Sequence, residues 1–187
     1  MIRIRQVSVI AMMVASAFSV SAIAGHDAGR SIEFLGFSGK GHRYLMLVRD
    51  ENVGDFLSVR SFSTGKQEKG FPIESVKDAR PMVAKISKRY RISDPGKESA
   101  TSPDGRFTLV AFQKGRRFRI KVMRGEKFAD LHTITLDGEG TRLNMKTAFW
   151  SRDGHRVVVV VHKKGPEGVE TDRAVPLKFF GGSLNFR

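Results

Sequence analysis

Polar turns give way to runs of strand-forming residues three times along this chain. Ser38-Gly39-Lys40-Gly41-His42-Arg43 precedes Tyr44-Leu45-Met46-Leu47-Val48. Ser102-Pro103-Asp104-Gly105-Arg106 precedes Phe107-Thr108-Leu109-Val110-Ala111-Phe112, and Ser151-Arg152-Asp153-Gly154-His155-Arg156 precedes Val157 to Val161. The shared form is Ser, two variable residues, Gly, then a basic pair or its remnant. Pro at the second position and Gly at the fourth suit a type I turn, and the β-branched and aromatic runs suit strands. The valine run is apolar at every position, which predicts a strand covered on both faces.

Each phrase has a predicted strand before it (Ile32 to Phe37, a short Ser99 to Thr101, Thr147 to Trp150). Each also has one after its run (Phe56 to Phe62, Arg117 to Met123, Val169 to Phe179), and the first two units add a fourth at Phe71 to Ile73 and Leu131 to Leu136. The unit is then about four short strands repeated roughly every 40–60 residues, the range of propeller blades. Between the first two units the period changes. Ala79, Val83, Ile86 and Tyr90 form one face of a helix over about 78–92, with Asp78 as its cap, Pro81 in its first turn, and Asp94-Pro95-Gly96 as its stop. That stripe reads as core packing, and Lys85, Lys88, Arg89 and Arg91 as its solvated basic side.

Arg3 and Arg5, the apolar Val7 to Ala22 and the A-x-A site Ala22-Ile23-Ala24 have the form of a secretory signal peptide. Cleavage between Ala24 and Gly25 is expected, against an uncleaved membrane anchor. Residues 25–187 would then be a single β-rich domain, exported to the periplasm or the medium. The leader holds two of the 33 basic residues, so the remainder carries 31 basic against 19 acidic residues, a net +12. There is no cysteine, so the fold rests on packing and hydrogen bonds.

Phe149-Trp150-Ser151-Arg152-Asp153-Gly154 with its valine strand resembles the repeat of TolB-type β-propellers, where a W-S-P-D-G turn joins the first two strands of a blade. Ser102-Pro103-Asp104-Gly105-Arg106-Phe107 resembles the same motif with Thr101 in place of the aromatic; Phe37-Ser38-Gly39-Lys40-Gly41 matches more loosely, lacking both Pro and Asp. Glu33-Phe34-Leu35-Gly36-Phe37-Ser38 also resembles the opening of a family of predicted secreted bacterial proteins of unknown function. Propellers close with about 4–8 blades, whereas this chain has about three incomplete ones. The expected fold is mainly β: an incomplete array of antiparallel blade-like units, or a small β-sandwich, with one inserted helix. The resemblance implies protein–protein binding in the envelope and brings no catalytic residues.

The basic strand carries the clearest candidate chemistry. Period two turns Phe118, Ile120 and Val122 to the core and lines Arg117, Arg119 and Lys121 on the other face. Two readings compete, a docking face for an anionic partner and a charged face that only solvates the sheet. The candidate anion-binding residues are Arg117, Arg119 and Lys121, with Lys85, Lys88 and Arg89 on the helix. An acidic envelope protein, an anionic polymer or a lipid headgroup fits better than nucleic acid, which export removes and for which no motif is visible.

No HExxH, GxSxG or phosphate-binding loop is present, and no cofactor or metal site is expected. His42 and His155 read as turn residues. A new amino terminus beside His26 could chelate copper, but an unliganded terminus is the simpler reading. Asp50-Glu51-Asn52-Val53-Gly54-Asp55 lacks calcium-loop spacing and reads as a hairpin tip, and Asp104 and Asp153 read as turn chemistry. The expectation is therefore a non-enzymatic binding protein. The alternatives are a hydrolase with a dispersed site, for which His155, His162 and Asp153 are the first candidates, or an oligomer subunit that pairs sheet edges between chains.

Overall fold

The computed structural model describes residues 29–74, 76–136 and 138–178. The leader, the Ala24–Gly25 junction and His26 lie outside the described residues, as does Phe179 at the end of the last expected strand.

The fold is mainly β with antiparallel sheets and one described helix. The first unit comprises β1 (Arg30–Ser38), β2 (Arg43–Asp50), β3 (Phe56–Ser61) and β4 (Gln67–Pro72). Helix α1 (Val76–Tyr90) follows, then the short β5 (Ile92–Asp94) and β6 (Lys97–Glu98). The second unit is β7 (Thr108–Lys114), β8 (Arg117–Arg124) and β9 (Lys127–Thr135). The third is β10 (Arg142–Trp150), β11 (Arg156–Lys164) and β12 (Glu170–Lys178).

The second unit is a separate three-stranded sheet. The first and third join edge to edge through β1 and β12, in parallel, at the Arg30–Thr171 register. About this corner the two halves fold face to face: Phe34, Tyr44, Met46 and Val48 of the first unit pack on Val158 of β11 and Ala174 of β12. The opposite face of the third unit packs on the second. Val157, Val159 and Val161 meet Leu109, Phe118, Ile120 and Val122, and Gln113 of β7 bridges to the backbone of Thr141 and Leu143. Helix α1 covers the far face of the first unit, with Ile86, Val83, Met82 and Tyr90 against Leu45, Leu47, Leu57 and Val59.

The layers therefore run helix, first unit, third unit, second unit. The third unit is the middle of the stack, which is why Val157 to Val161 are buried at every position. The array is open and does not close into a propeller.

Several expectations need correction. The helix begins at Val76, so Asp78 is its third residue rather than its cap, and Pro81 lies in the second turn. There its missing N–H leaves one carbonyl without an intrahelical partner. The stop is Arg91, which adopts a left-handed φ of 55° and accepts a bond from the Gly39 N–H through its carbonyl. Asp94-Pro95-Gly96 instead forms the next turn, closed by the Gly96 N–H on the Asp94 carboxylate at 3.0 Å. Ser99 to Thr101 forms no strand. Thr101 makes an isolated bridge to Thr108, and the preceding β6 pairs with β10 of the other sheet. Among the described residues no helix is long and apolar enough to cross a membrane.

Candidate functional site

The repeated phrase builds the same turn three times. The Gly41, Gly105 and Gly154 N–H groups donate to the Ser38, Ser102 and Ser151 carbonyls at 2.6, 2.9 and 2.9 Å. All three glycines have positive φ, between 63° and 73°. Each serine hydroxyl turns inward and accepts from the N–H five residues on, that of Arg43, Phe107 or Arg156, at 3.1 Å in every copy. In the second and third copies the serine also donates to the turn aspartate, Asp104 or Asp153. The hydroxyl of Ser102 and the guanidinium of Arg106 hold the Asp104 carboxyl down at about 2. Burial opposes ionisation of Asp153, but hydrogen bonds from Ser151 and the His155 N–H, with the Arg156 charge, hold it below its ordinary value. These carboxylates belong to the turns themselves.

The basic strand is β8, the middle strand of the outermost sheet. Its burial alternates as period two requires: Phe118, Ile120 and Val122 are buried, while Arg117, Arg119 and Lys121 are on the other side. Register gives that outer face its rows. Lys114, Arg117 and Thr135 lie abreast, then Phe112, Arg119 and Thr133, then Val110, Lys121 and Asp130, then Thr108, Met123 and Phe128. Lys121 is 3.6 Å from the Asp130 carboxylate and lies over the Phe112 ring at 5.4 Å. Arg117 and Arg119 have no ion-pair partner among the described residues. Phe112 and Phe128, each 41% exposed, are two of the three large apolar side chains that stand out in solvent among the described residues. The face thus presents four cations against one carboxylate, with an apolar ring on each outer strand, Phe112 on β7 and Phe128 on β9. Sequence periodicity places the cations; it could not place the two phenylalanines beside them, because their strands had first to be registered.

Lys85, Lys88 and Arg89 are exposed on α1, at the opposite end of the stack. The structure does not bring them together with Arg117, Arg119 and Lys121, so the six residues form two surfaces rather than one.

The remaining candidates also separate. Asp153 and His155 share a turn, whereas His162 lies six residues further along β11 than Arg156, about 20 Å away at strand rise. His162 meets Asp172 instead, Nδ1 to carboxylate at 2.9 Å. Asp172 is buried and also accepts from Lys146 Nζ at 2.8 Å and the Ile32 N–H at 3.3 Å. Its burial opposes ionisation, yet Lys146, His162 and the Ile32 N–H keep its carboxyl below the ordinary value. Glu170 approaches the other ring nitrogen of His162 at 3.6 Å. This network lines a cavity of about 750 Å³ with Arg30, Asp50 and Glu51. No sequence motif marks the network, because its groups come from four strands, β1, β10, β11 and β12. The imidazole is bracketed by two carboxylates, an arrangement that ties strands together.

His132 faces inward; burial, helped by the Arg173 charge, pushes its imidazole down. Asp50 closes the β2–β3 turn by accepting from the Asn52 and Val53 N–H groups. Among the described residues no group of three or more His, Asp or Glu side chains is placed to hold a metal ion. No protein-family model, characterised protein or solved structure matches the chain.

Proposed function

We propose that this is a non-enzymatic binding protein, exported to the bacterial envelope or beyond, that docks an acidic protein or anionic envelope polymer on the outer face of the β7–β9 sheet. The observation that carries the reading is the pair Arg117 and Arg119. Both are on the outer face of a central strand, without an acidic partner among the described residues, beside a Lys121 that has only Asp130. Like charges along one strand repel, and an anion docked across them offsets that cost. Exposed Phe112 and Phe128 add apolar contact at the rim of the cationic rows. The form of the leader supports export, and the net charge favours an anionic partner.

The test is the variant Arg117→Glu/Arg119→Glu/Lys121→Glu. It leaves Phe118, Ile120 and Val122 in place, so the fold survives with a stability change within about 1 kcal/mol per lost pair. Capture of acidic envelope components, and retention on an anionic matrix, falls by at least about tenfold, and only the unmodified protein shows strongly salt-dependent binding. A folded variant that binds as before removes this face as the docking site.

A further inference from the structure

Two of the three repeated phrases contain Gly-His-Arg, at 41–43 and 154–156. Because β1 and β12 run parallel, the β1–β2 and β10–β11 turns emerge at the same end of the stack. There the His-Arg pair of each tripeptide lines one pocket of about 300 Å³. His42, Arg43, His155 and Arg156 share it with Lys178, Ser61, Ser63 and Glu68.

The charges in this pocket are not balanced. Arg43 is held by Glu68 and Arg156 by Asp153. Lys178 has no ion-pair partner among the described residues, yet it stands directly across the ladder from Arg156. Like charges directly opposite on neighbouring strands are destabilising unless something negative lies between them. The rest of the lining supplies two imidazoles and a pair of serine hydroxyls, Ser61 and Ser63, of which one donates to the other at 2.9 Å and leaves the second free to donate. Imidazoles and a hydroxyl donate hydrogen bonds to an oxyanion. Gly41 suits the arrangement: its φ is 63°, and a Cβ there would displace the Arg156 guanidinium, which lies across the first turn. The volume is at the small end of ligand pockets, roughly 300–1,000 Å³.

We propose that the pocket between the first and third turns binds a phosphate group, with Arg156 and Lys178 as the charged clamp and His42 and His155 as flanking donors. The site is separate from the β7–β9 face and does not depend on its role. The shared chemistry is the phosphate, whether free or carried on a small organic molecule.

The experiment titrates the protein with inorganic phosphate and, separately, with glycerol 3-phosphate, following heat and the His42 and His155 imidazole resonances. Saturable binding of either below about 10 mM, lost by about tenfold in Lys178→Gln and in His155→Gln, supports the site. Both residues are exposed, so these variants keep the fold. Binding of glycerol 3-phosphate alone assigns the phosphate to an organic carrier, and binding of both assigns it to the bare ion. The triple glutamate variant of the β7–β9 face serves as control and retains binding. Absence of saturable binding with both probes overturns the proposal. So does binding that ignores Lys178 and His155, or that disappears with the β7–β9 variant.

Discussion

Strands β8 and β11 are each flanked by two antiparallel neighbours, and each follows a tight turn closed by a glycine of positive φ, Gly115 or Gly154. One reads RFRIKVMR and is buried at alternate positions; the other reads RVVVVVHKK and is buried throughout its valines. The local structure is the same and the difference is one of layer. β8 belongs to the last sheet of the stack and has one covered face. β11 is in the middle, with Val158 against the first unit and Val157, Val159 and Val161 against the second. A chemistry-bearing face is available only where the stack ends, so the outermost sheet can hold a row of cations that the middle sheet could not.

One charge placed at matched positions separates the two strands most strongly. Val159→Asp puts an unpaired carboxylate between two sheets and should cost at least about 4 kcal/mol, enough to abolish folding. Arg119→Asp, on the open face of β8, should change stability by no more than about 0.5–1 kcal/mol. Circular dichroism with a denaturant titration decides between them. Equal losses would mean that the β8 face is covered.

The turns come next in size. A Cβ at Gly105 meets nothing within 4 Å, and at Gly154 only the Pro103 ring at 3.8 Å, whereas at Gly41 it would overlap Arg156. Gly105→Ala and Gly154→Ala should each cost about 1–2 kcal/mol for the left-handed backbone alone. Gly41→Ala should cost more, because Arg156 must also move. Matching denaturant midpoints for the Gly105 and Gly154 variants would show that the strain is local and independent of the layer each turn feeds. A clear excess at Gly154 would show that the middle layer adds to it.

The smallest effect is in acid. The Asp104 carboxyl is lowered from 3.8 to about 2 in the fold, and that of Asp153 is lowered as well. A depressed carboxyl stabilises above its unfolded value, and that contribution is lost as pH falls through the folded one. The Asp104 turn therefore weakens between about pH 4 and pH 2, and the Asp153 turn weakens as pH falls below the ordinary carboxylate range. Asp104→Asn should flatten that limb of the stability profile while leaving neutral pH nearly unaffected. An unchanged acid limb would remove Asp104 as its source.

Much of this was legible in the chain. The turn phrases, the alternation of β8, the all-apolar β11 and the helical face through Val83, Ile86 and Tyr90 are patterns among near neighbours, and backbone geometry converts such spacing into faces. The double cover of Val157 to Val161 was legible for the same reason, since only a strand with no solvent side can be apolar at every position. The end of α1 was not. Asp94-Pro95-Gly96 carries the stronger stop signal, yet Arg91 bends first, where its carbonyl meets the first turn through Gly39.

Near-neighbour pattern sets which residues form each unit and which side of each strand is polar. Tertiary structure decided the order of the units in space, with the third between the first and second. It also decided the β1–β12 corner, the gathering of Lys146, His162 and Asp172, and the meeting of two Gly-His-Arg turns around one pocket. The physical reason is that the Lys146–His162–Asp172 cluster depends on strand registers joining residues 10 to 26 apart, and that the corner and the shared pocket depend on pairings across more than 100 residues of chain, such as Arg30 with Thr171. Closing so long a loop costs only slightly more than closing a shorter one. Local pattern therefore leaves such partners open, and the packing of whole faces selects among them.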